Sequence, residues 1–333
     1  MSSIYHRIKL FKQVIFFLLL GLFSLQVSAK IQPQQQEANK AVSKLYHSLN
    51  YMPKSDMAAR LEAISAKFLG KVYLLGALGE GSDARFDQEP MYRMDAFDCE
   101  TYVTTVLALA LANDAGSFQQ CQRQIRYLNG QVGFTTRHHF TSLDWNLNNQ
   151  RQGFVKDITQ SFKDQQNNPV TKIASALIDK PSWYQHLKST AIRLHPQDEK
   201  MQAKRLAELK VEGSKLAKTN SQIPYIPLDL LFDEQGQANQ YLFAQIPNAA
   251  IVEIIRPDWN LHEQIGTNLN VSHLGFVFWH KGVLLFREAS SQHGQVIDIP
   301  LIDYLREAKK SPTIKGINVQ IVVPQTPTAN GCT

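Results

Sequence analysis

Five short runs in the last third of the chain limit its fold more than any other feature. They are "AAIVEIIRP" (Ala249–Pro257), "VSHLGFVFWH" (Val271–His280), "GVLLFREAS" (Gly282–Ser290), "QVIDIP" (Gln295–Pro300) and "GINVQIVVP" (Gly316–Pro324). Each is rich in β-branched or aromatic residues and reads as a strand. Tight connections such as His280-Lys281-Gly282 favour antiparallel pairing. The first half reads differently. Asn39 to Asn50 carries Val42, Leu45, Tyr46 and Leu49 at helical spacing. A second helix follows, with Ser55 as cap, Met57, Leu61, Ile64 and Phe68 on one face, and Gly70 as stop. "FDCETYVTTVLALALAND" (Phe97 to Asp114) reads as a buried helix. Helices first and an antiparallel sheet last is an α+β layout.

The start of the chain is a processing signal. Arg7, Lys9 and Lys12 precede an apolar run from Val14 to Leu25, and Val27-Ser28-Ala29 supplies small residues for cleavage. Residues 1–29 therefore read as a secretory signal peptide. The run is short for a membrane span, and no cysteine lies near the cut to carry a lipid. The expected mature chain is periplasmic or secreted, without stable membrane insertion, and monomeric. Residues 30–52 read as a helical extension and 53–333 as the main domain. Within that domain, Lys71 to Asp95 holds glycines, acids and a proline with little periodicity, so a long loop is expected. The Lys-, Gln- and Asn-rich stretch from about 150 to 222 reads as a helical insertion. Met201, Leu206, Leu209 and Leu216 make an amphipathic helix of Lys200 to Thr219. Lys plus Arg is 35 against 29 for Asp plus Glu, a mild excess suited to an anionic cell envelope. No Lys/Arg cluster with interleaved aromatics is present, which argues against nucleic-acid binding.

Cysteine usage narrows the chemistry. The chain has 3 cysteines, Cys99, Cys121 and Cys332, too few for a disulfide scaffold and odd in number. A Cys121–Cys332 bridge would leave Cys99 free, and the sequence leaves that pairing open. Cys99 sits between Asp98 and Glu100 at a helix start, where amide groups are unpaired and point outward. A free thiol titrates near ~8.5. A helix N-terminus favours its anion by only about 0.3–1 kcal/mol, and the two flanking acids oppose it. An imidazole partner is required. Of 10 histidines, His273 lies mid-strand. Alternation puts it with Val271, Gly275 and Val277 on one face, and Leu274, Phe276 and Phe278 on the other. The plainer reading is a hydrogen-bonded structural histidine. A His280-Lys281 hairpin loop places Glu288 opposite His273, whereas a Lys281-Gly282 loop places Ser290 there. Either residue could orient the imidazole by triad logic. Glu288 could instead pair with Arg287 or Lys281.

The ordered set "KVYLLGALGEG", "FDCETYV", "SHLGFVF" and "FREASS" resembles the NlpC-type cell-wall cysteine hydrolases. These papain-like enzymes cut peptidoglycan stem peptides or their amide link to the sugar. "MYRMDAFDCETYV" with "TRHHFTSLDW" downstream is most similar to the N-acetylmuramoyl-L-alanine amidase-like branch, formerly a domain of unknown function. The resemblance runs roughly from Leu61 to Pro324, and the middle insertion matches least. It implies a papain-like NlpC-type fold, Cys99 as nucleophile, His273 as base, Tyr73 near the oxyanion pocket and Asp98 as the acid before the cysteine. It implies no cofactor, and peptidoglycan or muropeptide as substrate. The third catalytic position is often histidine in these enzymes, and here Glu288 occupies it. A stem endopeptidase cutting after D-glutamate and a catalytically dead binding module are the alternatives. Arg93 and Asp95 could read a charged stem peptide or pair with each other. Arg137, His138, His139 and Trp145 could form a cleft wall. Adjacent His138 and His139 point apart with no third ligand in register, so no metal site is expected.

Overall fold

A computed structural model describes residues 33–49, 56–327 and 332. The signal-peptide expectation and the Ser55 cap fall outside them. Strands β1 (Val72–Tyr73), β2 (Ala96–Phe97), β3 (Val155–Asp157), β4 (Lys172–Asp179), β5 (Lys218–Pro227), β6 (Ile251–Leu261), β7 (Thr267–His280), β8 (Val283–Ser290), β9 (Gln295–Pro300) and β10 (Gly316–Val322) form one 10-stranded sheet. Its order is β2-β1-β9-β8-β7-β6-β10-β5-β4, with β3 also paired to β10. Among these strands of the described residues, only β1 and β2 pair in parallel. The fold is thus mixed α+β, and the five strands read from the last third are its centre.

Helices α1 (Pro33–Leu49), α2 (Met57–Ala66), α3 (Cys99–Leu111) and α4 (Ala115–Arg126) share a core with one face of the sheet. Every residue of α3 from Thr101 to Leu111 is buried, as expected of a helix that is apolar nearly all round. It meets Leu274, Phe276 and Phe278 of β7 in that core, the face that alternation assigned to packing. Val277, Ile254, Phe286 and Val319 lie in a second core, with Leu301 and Leu305 of helix α7 (Leu301–Ala308). Helix α2 takes its cap from Asp56, whose carboxylate accepts from Ala59 N at 2.9 Å. The stretch expected as an N-terminal extension packs on the main core through α1. Val42, Leu45 and Leu49 of α1 are buried in the main core, and Tyr46 Oη donates to Leu109 O at 3.1 Å.

The middle insertion differs from expectation. It contains helices α5 (Lys180–His186) and α6 (Glu199–Gly213), but also β3, β4 and β5. Strands β4 and β5 pair residue by residue from Lys172↔Tyr225 to Asp179↔Lys218. The α6 pattern ends at Gly213, and Lys218 and Thr219 belong to β5. The reason is context. Ala174, Ala176 and Ile178 alternate inward on β4, yet alanine carries no strand preference of its own, so pairing and burial decide.

Cys121 and Cys332 are disulfide-bonded across 211 residues, and Cys99 is free. Closing a loop of that size removes unfolded-state entropy worth up to about 5 kcal/mol. Reduction, or Cys121→Ala with Cys332→Ala, is expected to lower stability by roughly 2–5 kcal/mol, with activity of the folded protein retained. Denaturant titration with and without reductant checks this.

Glu253 lies on β6 with its side chain wholly inside the protein. Asn146 Nδ2 and Gln320 Nε2 donate to it at 3.0 and 2.9 Å, with no cation. Burial, against those two bonds and with Asp157 adding its charge, pushes its carboxyl up to about 8. The folded state therefore holds the proton more tightly than the unfolded chain. The stability this contributes is complete below about pH 4.3 and is lost as pH rises through about 8. Glu253→Gln is expected to stabilise the protein at pH 9 by about 1–3 kcal/mol and to do little at pH 5. Thermal melts at both values test it.

Candidate active site

The site begins with the start of α3. Asp98 is the N-cap, with φ −95° and ψ 179°. Its Oδ1 accepts from Thr101 N at 2.8 Å, and Asp98 N donates back to Thr101 Oγ1 at 2.9 Å, a reciprocal capping box. Its other oxygen, Oδ2, accepts from Gly76 N at 2.8 Å. Asp98 thus fixes both the helix start and the loop following Tyr73. Cys99 is the first helical residue. Glu100 accepts from Thr104 Oγ1 at 2.9 Å, and burial raises its carboxyl pKa against the charge of Arg126.

His273 on β7 faces this helix start. Its Nε2 bonds Glu288 on β8, leaving Nδ1 for the sulfur. Burial alone would lower the imidazole pKa. The Cys99 charge and hydrogen bond outweigh it, with Glu288 adding to them, and lift His273 to about 10. The ring is held on both sides: Phe286 meets it edge-on at 5.9 Å, and Tyr304 of α7 stacks at 6.1 Å and 24°.

The hairpin explains why this acid reaches this histidine. Lys281 and Gly282 both have positive φ, and His280 pairs with Val283, so Lys281-Gly282 is the loop. That register would set Ser290 opposite His273, but the ladder stops at Phe276↔Arg287. Glu288 reaches His273 as a diagonal neighbour on the same face. Ser290 Oγ is 3.0 Å from His293 Nδ1 instead. Arg287 does not compete for Glu288. It makes two 2.7 Å bonds to Asp298 and lies over Phe278. Inserting a Cβ at Gly275 would bring it to 2.6 Å from Arg287 O, so glycine lets the two strands approach beside the pair.

Tyr73 pairs with Phe97 at the sheet edge. Burial first, then the charges of Cys99, Asp98 and Glu288, push its phenol up to about 12, keeping it a donor at neutral pH. The loop beyond it is clamped. Arg193, from the insertion, donates to Gly76 O at 2.6 Å and Leu78 O at 3.0 Å. It also bonds Asp87, which Arg137 shares at 2.8 Å while pairing with Glu80. Tyr127 Oη donates to Gly79 O at 3.0 Å.

The other polar residues divide as follows. Arg93 forms a two-bond pair with Asp95 at 2.8 and 2.6 Å, so it could meet a substrate carboxylate only by exchanging Asp95. His138 and His139 bond the carbonyls of Ile125 and Phe134, and no metal-binding group exists among the described residues. Trp145 is buried, its indole donating to Thr104 at 2.9 Å. Sequence reading missed Tyr304, although "LIDYLREA" repeats Leu301 and Leu305 at helical spacing. It also missed Arg193, which lies 106 residues from Asp87 and carries no local signal. His273 and Glu288 line a cleft of about 550 Å³ between the sheet and α7, which also exposes Arg256, Trp259 and Tyr304.

A thiol at a helix start, an imidazole beside it and a carboxylate behind that imidazole can ionise the sulfur and move a proton to a leaving group. Fold and site together define a mixed α+β hydrolase. The chain belongs to the AmiA-like, N-acetylmuramoyl-L-alanine amidase-like family, whose model matches residues 63–314. It is similar to a Legionella pneumophila protein of family DUF1460, 52% identical with a TM-score of 0.86 over 90% of this chain and 98% of that one. It is also similar to an N-acetylmuramoyl-L-alanine amidase from Bacteroides uniformis, 25% identical with a TM-score of 0.53 over 79% and 98%. No curated protein matches it. Among the described residues no helix is long and apolar enough to cross a membrane.

Proposed function

We propose that this chain is an exported cysteine amidase on a papain-like, NlpC-type scaffold. It splits the amide between N-acetylmuramic acid and L-alanine in peptidoglycan fragments. The observation that carries this reading is His273, bonded to Glu288 through one ring nitrogen and near enough to the helix-start thiol of Cys99 for that sulfur to raise its pKa.

Cys99 sulfur attacks the lactyl carbonyl of the sugar. The Cys99 amide, unpaired at the helix start, and the Tyr73 hydroxyl donate to the oxyanion. His273 has taken the thiol proton and passes it to the departing alanine amine, so the C–N bond breaks with a neutral leaving group. Water, deprotonated by the same imidazole, clears the thioester. Asp98 acts by holding the helix start and the Tyr73 loop. Membership of the amidase-like family supports the bond assigned here. The clamped loop and the insertion add walls to the simple plan, and narrow walls exclude groups that find no partner. A soluble muropeptide therefore suits the site better than cross-linked wall.

Incubation with disaccharide-tetrapeptide and with intact sacculi tests this. Free tetrapeptide from the fragment, with little from sacculi, is expected. A product in which L-alanyl-D-glutamate stays on the sugar would mean a stem endopeptidase, and no product would mean a binding module.

A further inference from the structure

The cleft beside His273 holds three carboxylates, and each is engaged. Glu288 bonds His273, Asp303 pairs with Arg306 at 2.8 Å, and Glu307 pairs with Lys310 at 2.7 Å. Arg256 is different. It has no acid within ion-pair distance among the described residues, and its one side-chain bond runs from Nη1 to Thr313 Oγ1 at 3.1 Å. Its Nε is buried with no partner, whereas Nη2 is neither bonded nor buried. The guanidinium lies over the Trp259 ring at 4.3 Å. Stacking of this kind holds the planar fork in one orientation.

Position links this cation to the reacting groups. Ile254 is the partner of His273 across β6 and β7, and Arg256 follows it after a bulge. Two residues of strand advance roughly 7 Å, and bulges re-aim side chains beside active sites. A half-buried guanidinium without a counter-ion is a costly feature in a protein alone. A carboxylate supplied by the ligand would remove that cost and would meet a pre-set fork, the geometry in which arginine binds acids best.

Resting on the amidase reading of this cleft, we propose that Arg256, braced on Trp259, is a specificity residue that receives a free carboxylate of the substrate's peptide stem. It touches neither the attacked carbonyl nor the leaving nitrogen, so it selects by charge and not by bond. Arg93, whose guanidinium is already neutralised by Asp95, is displaced from that role.

The test measures binding apart from turnover. An L-alanyl-γ-D-glutamyl tripeptide is prepared with its carboxylates free and with them amidated. Each is titrated calorimetrically into wild-type protein, Arg256→Gln and Arg256→Lys, with circular dichroism verifying the fold. Wild type should bind the free acid about 10- to 100-fold more tightly, the usual range for one charged hydrogen-bonded pair. Arg256→Gln should erase the preference without weakening the amidated peptide, and Arg256→Lys should keep part of it. A preference surviving in Arg256→Gln, or no binding of either peptide to folded wild type, overturns the proposal. Turnover of disaccharide-tetrapeptide in the same preparations decides the amidase reading separately.

Discussion

Cys99→Ala protein is expected to lose turnover by about ten-thousand-fold or more, the scale seen when a nucleophile is removed from a three-residue hydrolytic set. The fold should survive. Alanine suits a helix start, Asp98 rather than Cys99 makes the cap, and the core of α3 begins at Thr101. A second readout accompanies the loss. The Cys99 charge is the foremost group raising His273, against the opposing effect of burial. Without it, the imidazole pKa should fall well below about 10 in NMR titration. Unimpaired activity, or an unmoved His273, would mean that the thiol and the imidazole do not work as a pair.

Glu288→Gln should lower kcat by between tenfold and ten-thousandfold, by comparison with other orienting carboxylates. Glutamine keeps the shape but removes the anion that stabilises imidazolium. The neighbouring Arg287–Asp298 pair does not depend on it, so thermal stability should change little. The pH profile should change as well. With His273 raised to about 10, the imidazolium contributes stability and proton-donating capacity that are complete below the ordinary imidazole pKa near ~6.5 and are lost as pH rises through about 10. In Glu288→Gln that alkaline limb should move to lower pH. Ser290→Ala should cause a far smaller loss, because its hydroxyl serves His293. A dead Ser290→Ala beside an unimpaired Glu288→Gln would reassign the third position. Glu288→His should recover part of the activity, since a neutral imidazole can also accept from His273.

The strands around the site were legible because their residues alternate between two real environments. Phe276 and Phe278 face α3, while Val277 faces the other core. The face of His273 was legible for the same local reason, whereas the capping role of Asp98, read from the sequence only as an acid before the cysteine, came from the structure. The orienting acid was legible only as a choice. Turn geometry sets the register near the loop, but the ladder ends before His273, and a long side chain then reaches diagonally. The insertion was misread because "KIASALID" gains its strand character from β5, not from its own residues. Arg193 acts through contacts distant in sequence, where composition and periodicity carry no signal. For Arg93 the sequence offered two readings, and the structure has the pair with the acid two residues on.

The most direct test of the account is acid quenching of the enzyme during turnover of disaccharide-tetrapeptide, with intact-mass measurement and peptide mapping of the trapped protein. The acyl group left on sulfur records both the nucleophile and the bond. The account predicts an adduct on Cys99 whose added mass is the disaccharide acyl group alone, with the whole tetrapeptide released. An adduct on Cys99 that still carries L-alanyl-D-glutamate, or a sugar acyl group on any other residue, would contradict it.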